Sequence, residues 1–547
     1  MKDLILKRIV ASVPETLKTF DSTSGRFIAP GHPAGLGWSP LHQDLIYTFA
    51  VLYRTPSPEN PYAGDRNILD VCARAGDALA SAQKDGGKFD VVNPTGENWG
   101  CYTICWTTYH WLEASVLLAE ELGAERLERW RRGISAAYET ICADLRKLEH
   151  IHNIPAFHAM GLVRAGQVFK RAEWIEVGSG VIKRCAGEQT ELGYWIEHDG
   201  PTPTYNSYYT HALGLYHRFT GDESVLPAIR RALDFQFVCT YPNGSPLETI
   251  DSRCKYKVGV GMYGLAAYTL FPEGRRFVRW LLEKSQRFGI WGSFTPFAWE
   301  HAGPNACTPL LASAVQYGVE GPEAPIPLES SNRQASLGTL ARVTQRGDWF
   351  HAFSAITAKP GESRWGMDLQ AFVSLYHELT GLIIGGGNSR EQPELSNFRF
   401  GTQHIPDGAK LVDNGVELSY GKSVGTITLR LDGLAAEVVM NVQPHGDAIP
   451  IAQLMVRTVP GKPIVTASGR TLPIDGSSIE LSSEDAGGAI AHNGWRLHLP
   501  QGANVRFPVL PFNPYRQDGK APLDLAALVV SIPLRDRASC ACRITIE

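Results

Sequence analysis

The sequence predicts two domains of different class: an N-terminal (α/α)6 toroid, a full or incomplete ring, over residues 1–325, and a C-terminal antiparallel β-sandwich over 326–547. Three observations carry that expectation. They are a repeated helical hairpin, a join rich in proline and glycine, and a change from helical to alternating apolar periodicity after the join.

From residue 39 to about 317, apolar residues recur at helical spacing, as in LHQDLIYTFAVLYRT, CWTTYHWLEASVLLAEELG and ALGLYHRFTG, with Gly or Pro at the joints. Polar, aromatic loops of one flavour occur around Trp38, Trp99, Asn153, Tyr205, Tyr256 and Asn305, which lie 49 to 61 residues apart. A period of that length corresponds to one helical hairpin. No hairpin can bury its apolar face alone, so six of them close into a ring with alternate helices inside and outside. The repeat places their entrances on one rim, where the loops are expected to line a common cleft.

The join is GVEGPEAPIPLESSNRQASLG, residues 318–338, which lacks a sustained apolar period and reads as a linker. Beyond it, TLARVTQRGDWFHAFSAIT, FVSLYHELTGLIIGGG, KSVGTITLRLDG, AEVVMNVQ and ALVVSIPL alternate apolar and polar residues or form short β-branched runs between turns. Antiparallel strands have that pattern. GGGN at 385–388 is not followed by the Lys-Ser/Thr of a phosphate loop and reads as a hairpin turn.

Composition narrows the function classes. The formal charge of −4 over 547 residues, with no long Lys/Arg block, argues against a nucleic-acid partner. No run of about 18 apolar residues suggests a membrane span. The opening MKDLILKRIVASVPETLKTF has charges where a secretory signal has its apolar stretch. As numbered, the chain therefore reads as cytoplasmic; it is secreted or periplasmic if a signal was removed. Ten scattered cysteines read as reduced core thiols. Cys101 and Cys105, or Cys540 and Cys542, lack the further ligands of a zinc site, so no cofactor is expected and neither structural zinc nor calcium has a clear motif. Homodimerisation is compatible with everything in the sequence.

An aromatic rim on a helical ring suits a carbohydrate, whose faces stack on Trp and Tyr while its hydroxyls take hydrogen bonds. Trp38, Trp99, Trp195, Tyr205, Tyr208, Tyr209, Trp291 and Trp299 are available, against the general tendency of aromatics to be core. Asn98 in GENWG either binds a sugar hydroxyl or shapes a turn.

HIHNIPAFHAMGLVRAGQVFKRAEW followed by EHDGPTPTYNSYYTHALGL resembles the toroid polysaccharide lyases of the heparinase II/III-like and alginate-lyase group. The pieces that carry the resemblance are Asn153 with His158, then Asp199-Gly200 and Pro203-Thr204-Tyr205-Asn206. Further on, GESRWGMDLQAFVSLYHELTGLIIGGG is similar to a strand pair in the group's β domain. Asp368 keeps its place there, whereas Arg364 stands where the pattern has its first His, with Trp365 and Met367 beside it. Some members bind zinc in this region, and the departure from the pattern puts a metal in doubt here. The resemblance implies a lyase acting on an acidic polysaccharide or oligosaccharide, with Tyr205 at the group's tyrosine position.

The chemistry of β-elimination explains such residues. A base removes the proton at C5 of a uronate and an acid protonates the leaving O4, but the C5 proton is barely acidic while the carboxylate is charged. An Asn amide and a His imidazolium, Asn153 and His158, would neutralise it at a helix entrance. A tyrosine serves as base or acid only if positive charge lowers its pKa; His198, His211 and Arg364 are candidates for that tuning. Tyr208 shares the face of Tyr205 if the helix has begun, and Tyr209 is as readily core. Asn206 is a ligand or an N-cap, His211 a helper or a structural histidine, and His377 a rim or a packed strand residue. Arg253 and Lys255 are candidates for reading the substrate's charges.

Two alternatives stay open. A glycoside hydrolase on the same ring, of the unsaturated glucuronyl type, would need opposed carboxylates, for which Glu97, Glu197, Asp199 and Glu300 are candidates. A non-catalytic glycan-binding protein would need neither set.

Overall fold

The computed structural model describes residues 1–28, 43–92, 98–197, 199–253, 259–262, 264–288, 290–291, 306–514 and 518–547. Two compact units divide the chain. One comprises Met1–Trp195, Thr204–Asp234 and Val258–Ile326; the other comprises Ile196–Pro203, Phe235–Lys257 and Pro327–Glu547. The helical half of the sequence thus gives two excursions, 196–203 and 235–257, to the β unit.

Twelve α-helices occur among the described residues: α1 (Lys2–Leu17), α2 (Leu45–Arg54), α3 (Arg66–Ala82), α4 (Cys105–Leu117), α5 (Ala124–Leu145), α6 (Asn153–Phe169), α7 (Ala172–Gly187), α8 (Pro203–Thr220), α9 (Leu226–Val238), α10 (Leu265–Tyr268), α11 (Pro272–Phe288) and α12 (Pro309–Tyr317). The even-numbered helices are apolar nearly all round. Every residue of α2 from Leu45 to Leu52 is buried, and so is almost all of α4. Odd-numbered helices such as α3 and α5 bury one stripe and expose charge. A helix without a polar face has to be surrounded, and one with a polar face has to lie outside.

The even helices form the inner ring through contacts between successive members. Tyr47 of α2 donates to Gln316 of α12 at 2.5 Å, and Thr107 of α4 donates to Asp44 at the head of α2 at 3.0 Å. Arg164 of α6 reaches Glu113 of α4 at 2.6 Å. Phe157 of α6 stacks on His211 of α8, Ser207 of α8 and Tyr268 of α10 lie 3.3 Å apart through their hydroxyls, and α10 packs on α12. The middle of the ring is filled by the Glu113–Arg164 pair, the Tyr317 hydroxyl on Glu113 and Phe219 beneath the Arg164 guanidinium at 5.1 Å. These polar residues complete one another, which is the condition for burying them at all.

The β unit contains a ten-stranded and a nine-stranded antiparallel sheet. In the first, the strands Trp349–Ser354 and Val373–His377 pair in the centre and are buried along their whole length. The edge strand Asn332–Leu337, inside the expected linker, alternates between the interior and solvent. In the second sheet, Ser423–Asp432 pairs with Ala435–Gln443 across a tight turn, and its inward residues alternate strictly from Ser423 to Leu429. The period-2 pattern of the sequence is the physical record of those two faces.

The GGG at 385–387 has a role other than the hairpin turn the sequence suggested. A side chain on Gly385 would stand 2.6 Å from Oε1 of Glu248, and one on Gly387, whose φ is +107°, would stand 2.4 Å from the Glu248 carbonyl. The glycines give the 235–257 excursion room to lie against the strands. Glu248 is buried there with the Tyr241 hydroxyl on its carboxylate at 2.9 Å, and burial pushes its pKa up to about 7.

Candidate active site

Three inner helices bring their N-terminal turns together through aromatic side chains. Pro203 opens α8, where its missing N–H has no helical partner to lose. Tyr205 then falls in the first turn and Tyr208 one turn later, with ring centroids 5.8 Å apart. Tyr208 meets Trp106, the second residue of α4, edge-on at 6.0 Å, and Trp106 lies 6.3 Å from Phe157 of α6. Tyr205 and Trp106 are both half-buried, so each keeps a face toward solvent.

Asn153 and His158 stand on the first turns of α6, next to this chain of rings. Asn153 is the first helical residue and is 8% exposed. His158 is half-buried, with a hydrogen bond to the Thr103 backbone and a buried Nε2 that has no partner among the described residues. Burial, and then the neighbouring His152, pulls its pKa down to about 4. The ring is therefore neutral near pH 7, which corrects the expectation of a standing imidazolium: Nε2 is a hydrogen-bond acceptor. Five helical positions also set Asn153 and His158 about 140° apart around the axis. Asn153 can serve the same sugar only from the end of the helix.

His211 has no place at the rim. It is 2% exposed, stacked on Phe157 at 5.7 Å, with both ring nitrogens unpartnered among the described residues, and burial together with His110 pulls its pKa down to about 3. A histidine that resists protonation so strongly cannot lend positive charge to a tyrosine. Tyr209 is fully buried and stacked on Trp195 at 4.7 Å, while the Trp195 indole donates to the Cys185 carbonyl. Asn206 is neither ligand nor N-cap: it sits inside α8, accepting from the Trp195 N–H and donating to the Gly193 carbonyl, both at 3.2 Å. Both side chains fasten the 193–195 turn to α8.

Asn98 and Trp99 lie on the strand Asn98–Tyr102 that leads into α4. Asn98 is exposed, and its side-chain oxygen accepts from the Gly100 N–H at 2.8 Å, so it does shape the turn. Trp99 is half-buried, and its carbonyl accepts from the hydroxyl of the exposed Tyr102. Trp38, Glu97, His198, Lys255, Trp299 and Glu300 lie outside the described residues.

The remaining candidates belong to the β unit. Arg364 is half-buried in the loop before the strand that begins at Asp368. His377 is 1% exposed and packed edge-on against Trp349 at 4.6 Å, with Nδ1 accepting from the Leu379 N–H; it is a packed strand residue and not a rim ligand. The Arg253 guanidinium lies over the Trp365 ring at 4.6 Å. Glu197 is buried and Asp199 exposed. Asp368 is fully buried, accepting from the Gln370 amide and the Glu391 N–H, and burial pushes its pKa up to about 6. Among the described residues no three His, Cys, Asp or Glu side chains group as metal ligands. With Arg364 in place of a histidine, the donor set around Asp368 does not fit zinc. Cys101 is exposed and the other described cysteines are buried.

Trp106 and the Thr103 backbone are the parts of the site that sequence reasoning passed over. Trp106 opens CWTTYHWLEAS directly after the Trp99 loop, and the rule that singled out Tyr205, an aromatic at the mouth of an inner helix, applies to it equally.

No protein-family model and no curated relative matches the chain. Solved structures do. Heparinase III superposes with a TM-score of 0.55 at 11% identity, covering 99% of this chain and 84% of that one. A Paenibacillus xanthan lyase gives 0.52 at 10% identity over 99% of this chain, which spans 56% of the xanthan lyase. The chondroitin AC lyase of Streptomyces coelicolor A3, in complex with chondroitin sulphate, gives 0.51 at 12% identity, covering 100% and 79%. From α1 to its last strand, this chain has the fold of the toroid-plus-β-sandwich polysaccharide lyases.

Proposed function

We propose that the protein is a lyase that cleaves a uronate-containing oligosaccharide or polysaccharide by β-elimination at the mouths of α4, α6 and α8. The observation that carries this reading is the Nε2 of a neutral His158, without a partner among the described residues, beside the Tyr205–Tyr208–Trp106 array. Trp106 and Tyr205, both half-buried, present the stacking surface a sugar ring needs, with the buried Tyr208 behind them. The Asn153 amide donates to the uronate carboxylate and, with the N-terminal end of α6, offsets the charge that builds up as C5 loses its proton. Tyr205 and His158 are the proton carriers: one takes the C5 proton, and one returns a proton to O4 as the glycosidic bond breaks. The likeness to lyases of xanthan, heparin-type and chondroitin substrates supports a glycan lyase in general and leaves the particular uronate to experiment.

The test is to incubate the protein with a panel of uronate glycans and weigh the products. Elimination yields fragments whose masses sum to that of the substrate, one of them absorbing in the ultraviolet through its new C4=C5 double bond. Fragments that together gain one water and carry no double bond would replace this reading with hydrolysis.

A further inference from the structure

We propose that the β unit carries its own non-catalytic binding site for an acidic sugar residue, in a cavity of about 430 Å³ beside the strand Asn504–Val509. The inference goes beyond the lyase reading and does not require Tyr205. A cavity of this size falls in the range that holds a small ligand rather than a few waters.

Its walls combine a fixed apolar surface with charges of both signs. Val509, 3% exposed, belongs to the sheet's buried core and forms part of the floor. Phe512 forms a wall backed by the Gly519 backbone on one side. The Arg390 guanidinium lies 5.9 Å from its ring centroid, and Gly519, at φ +68°, brings the backbone so close that any side chain there would stand 2.7 Å from the ring. Arg390 is itself immobilised by donating to the carbonyls of Gly361, Ser363 and Gly366. Those acceptors are neutral, so they hold the guanidinium without cancelling its charge.

Two further cations line the cavity. Arg506 is half-exposed and stands 3.5 Å from Glu394, a loose pair. Lys520 is exposed and forms no ion pair among the described residues. Among the described lining residues, Glu394 and Asp518 stand against Arg390, Arg506 and Lys520, which leaves one positive charge in excess. A purely apolar ligand would have no use for five charged side chains, and a bare phosphate dianion would bring no hydroxyl donors to offset the two carboxylates. A sugar with one acidic substituent fits both features. Its carboxylate or sulfate takes the forked donors of arginine, its hydroxyls donate to Glu394 and Asp518, and its C–H face lies on Phe512.

The experiment is a calorimetric titration of the full chain carrying Tyr205→Phe, which keeps glycans intact. The probes are a tetragalacturonate, a sulfated chondroitin tetrasaccharide and the neutral cellotetraose. Adding Arg506→Glu with Lys520→Glu is expected to remove one equivalent of bound acidic tetrasaccharide per chain, and the milder Arg506→Gln with Lys520→Gln to weaken that equivalent at least tenfold, without lowering the melting temperature. Loss with the tetragalacturonate identifies the carboxylate as the recognised group; loss with the chondroitin probe alone identifies the sulfate. Unchanged stoichiometry and affinity in both double variants, or equal binding of cellotetraose, would overturn the proposal. Failure of the lyase reading would show separately, as wild-type protein that forms no double bond.

Discussion

Midway along α4 and α6, Glu113 and Arg164 form a buried pair that also takes the Tyr317 hydroxyl from α12. Six residues nearer the mouth of α6, the Nε2 of His158 is buried and has no partner among the described residues. The same helices thus treat their buried polar groups in opposite ways. For Glu113, Arg164 and Tyr317 the partner is another part of the protein, as stability favours. At the entrance a hydrogen-bonding position is left open, and an open position that has been desolvated is what a substrate can fill.

Perturbing the middle should have the largest effect. Arg164→Met leaves the Glu113 carboxylate buried without its cation and is expected to lower the unfolding free energy by about 3–5 kcal/mol, read from urea denaturation. A loss below about 1 kcal/mol would mean that the pair is not what holds the ring's centre.

Next in size is the buried imidazole of His211. Its pKa is held at about 3, below the ordinary 6.5, so the unfolded chain takes up this proton more readily than the folded one. The stability it contributes is complete above pH 6.5 and is lost as pH falls toward 3, with a slope of about 1.4 kcal/mol per pH unit. His211→Phe, which retains a ring to stack on Phe157, should flatten that part of the stability–pH curve. An unchanged slope would place the proton uptake elsewhere.

At the entrance, removing the stacking surface with Trp106→Ala should raise KM about tenfold while unfolding stays cooperative, since an aromatic contact is worth on the order of 1 kcal/mol beyond its buried area. The smallest effect concerns pH. If His158 is the group that must be neutral, the acid limb of kcat/KM falls near its pKa of about 4, and activity persists well below pH 6.5. A limb near 6.5 would show that the functional histidine is solvated and is not this one.

Much of the architecture was legible because repetition survives in sequence. The loops at Trp99, Asn153 and Tyr205 do lead into α4, α6 and α8, and those at Trp38, Tyr256 and Asn305 precede α2, α10 and α12 although they lie outside the described residues. The errors share one cause. Inner helices are buried on every side, so their periodicity contains no polar face from which to tell rim from core. Tyr205 and Tyr209 look alike in the sequence, yet one is half-buried at the mouth and the other wholly enclosed. For the same reason Asn206 fits neither of its two readings, and His211 could not be told from a structural histidine. The exchange of 196–203 and 235–257 into the β unit was hidden because it depends on close approach, through Gly385 and Gly387, and not on any local pattern. Glu113 and Arg164 did leave a signal, as isolated charges in WLEAS and LVRAG, two segments otherwise fit for a core.

The central claim is that Tyr205 moves a proton at the mouth of the ring. Its most direct test sets wild type beside Tyr205→Phe on one uronate tetrasaccharide, following double-bond absorbance and, separately, binding. The account predicts that the phenylalanine variant binds the tetrasaccharide within a few-fold of wild type but forms the double bond about 10²–10⁴ times more slowly. A variant that eliminates at the wild-type rate would contradict it.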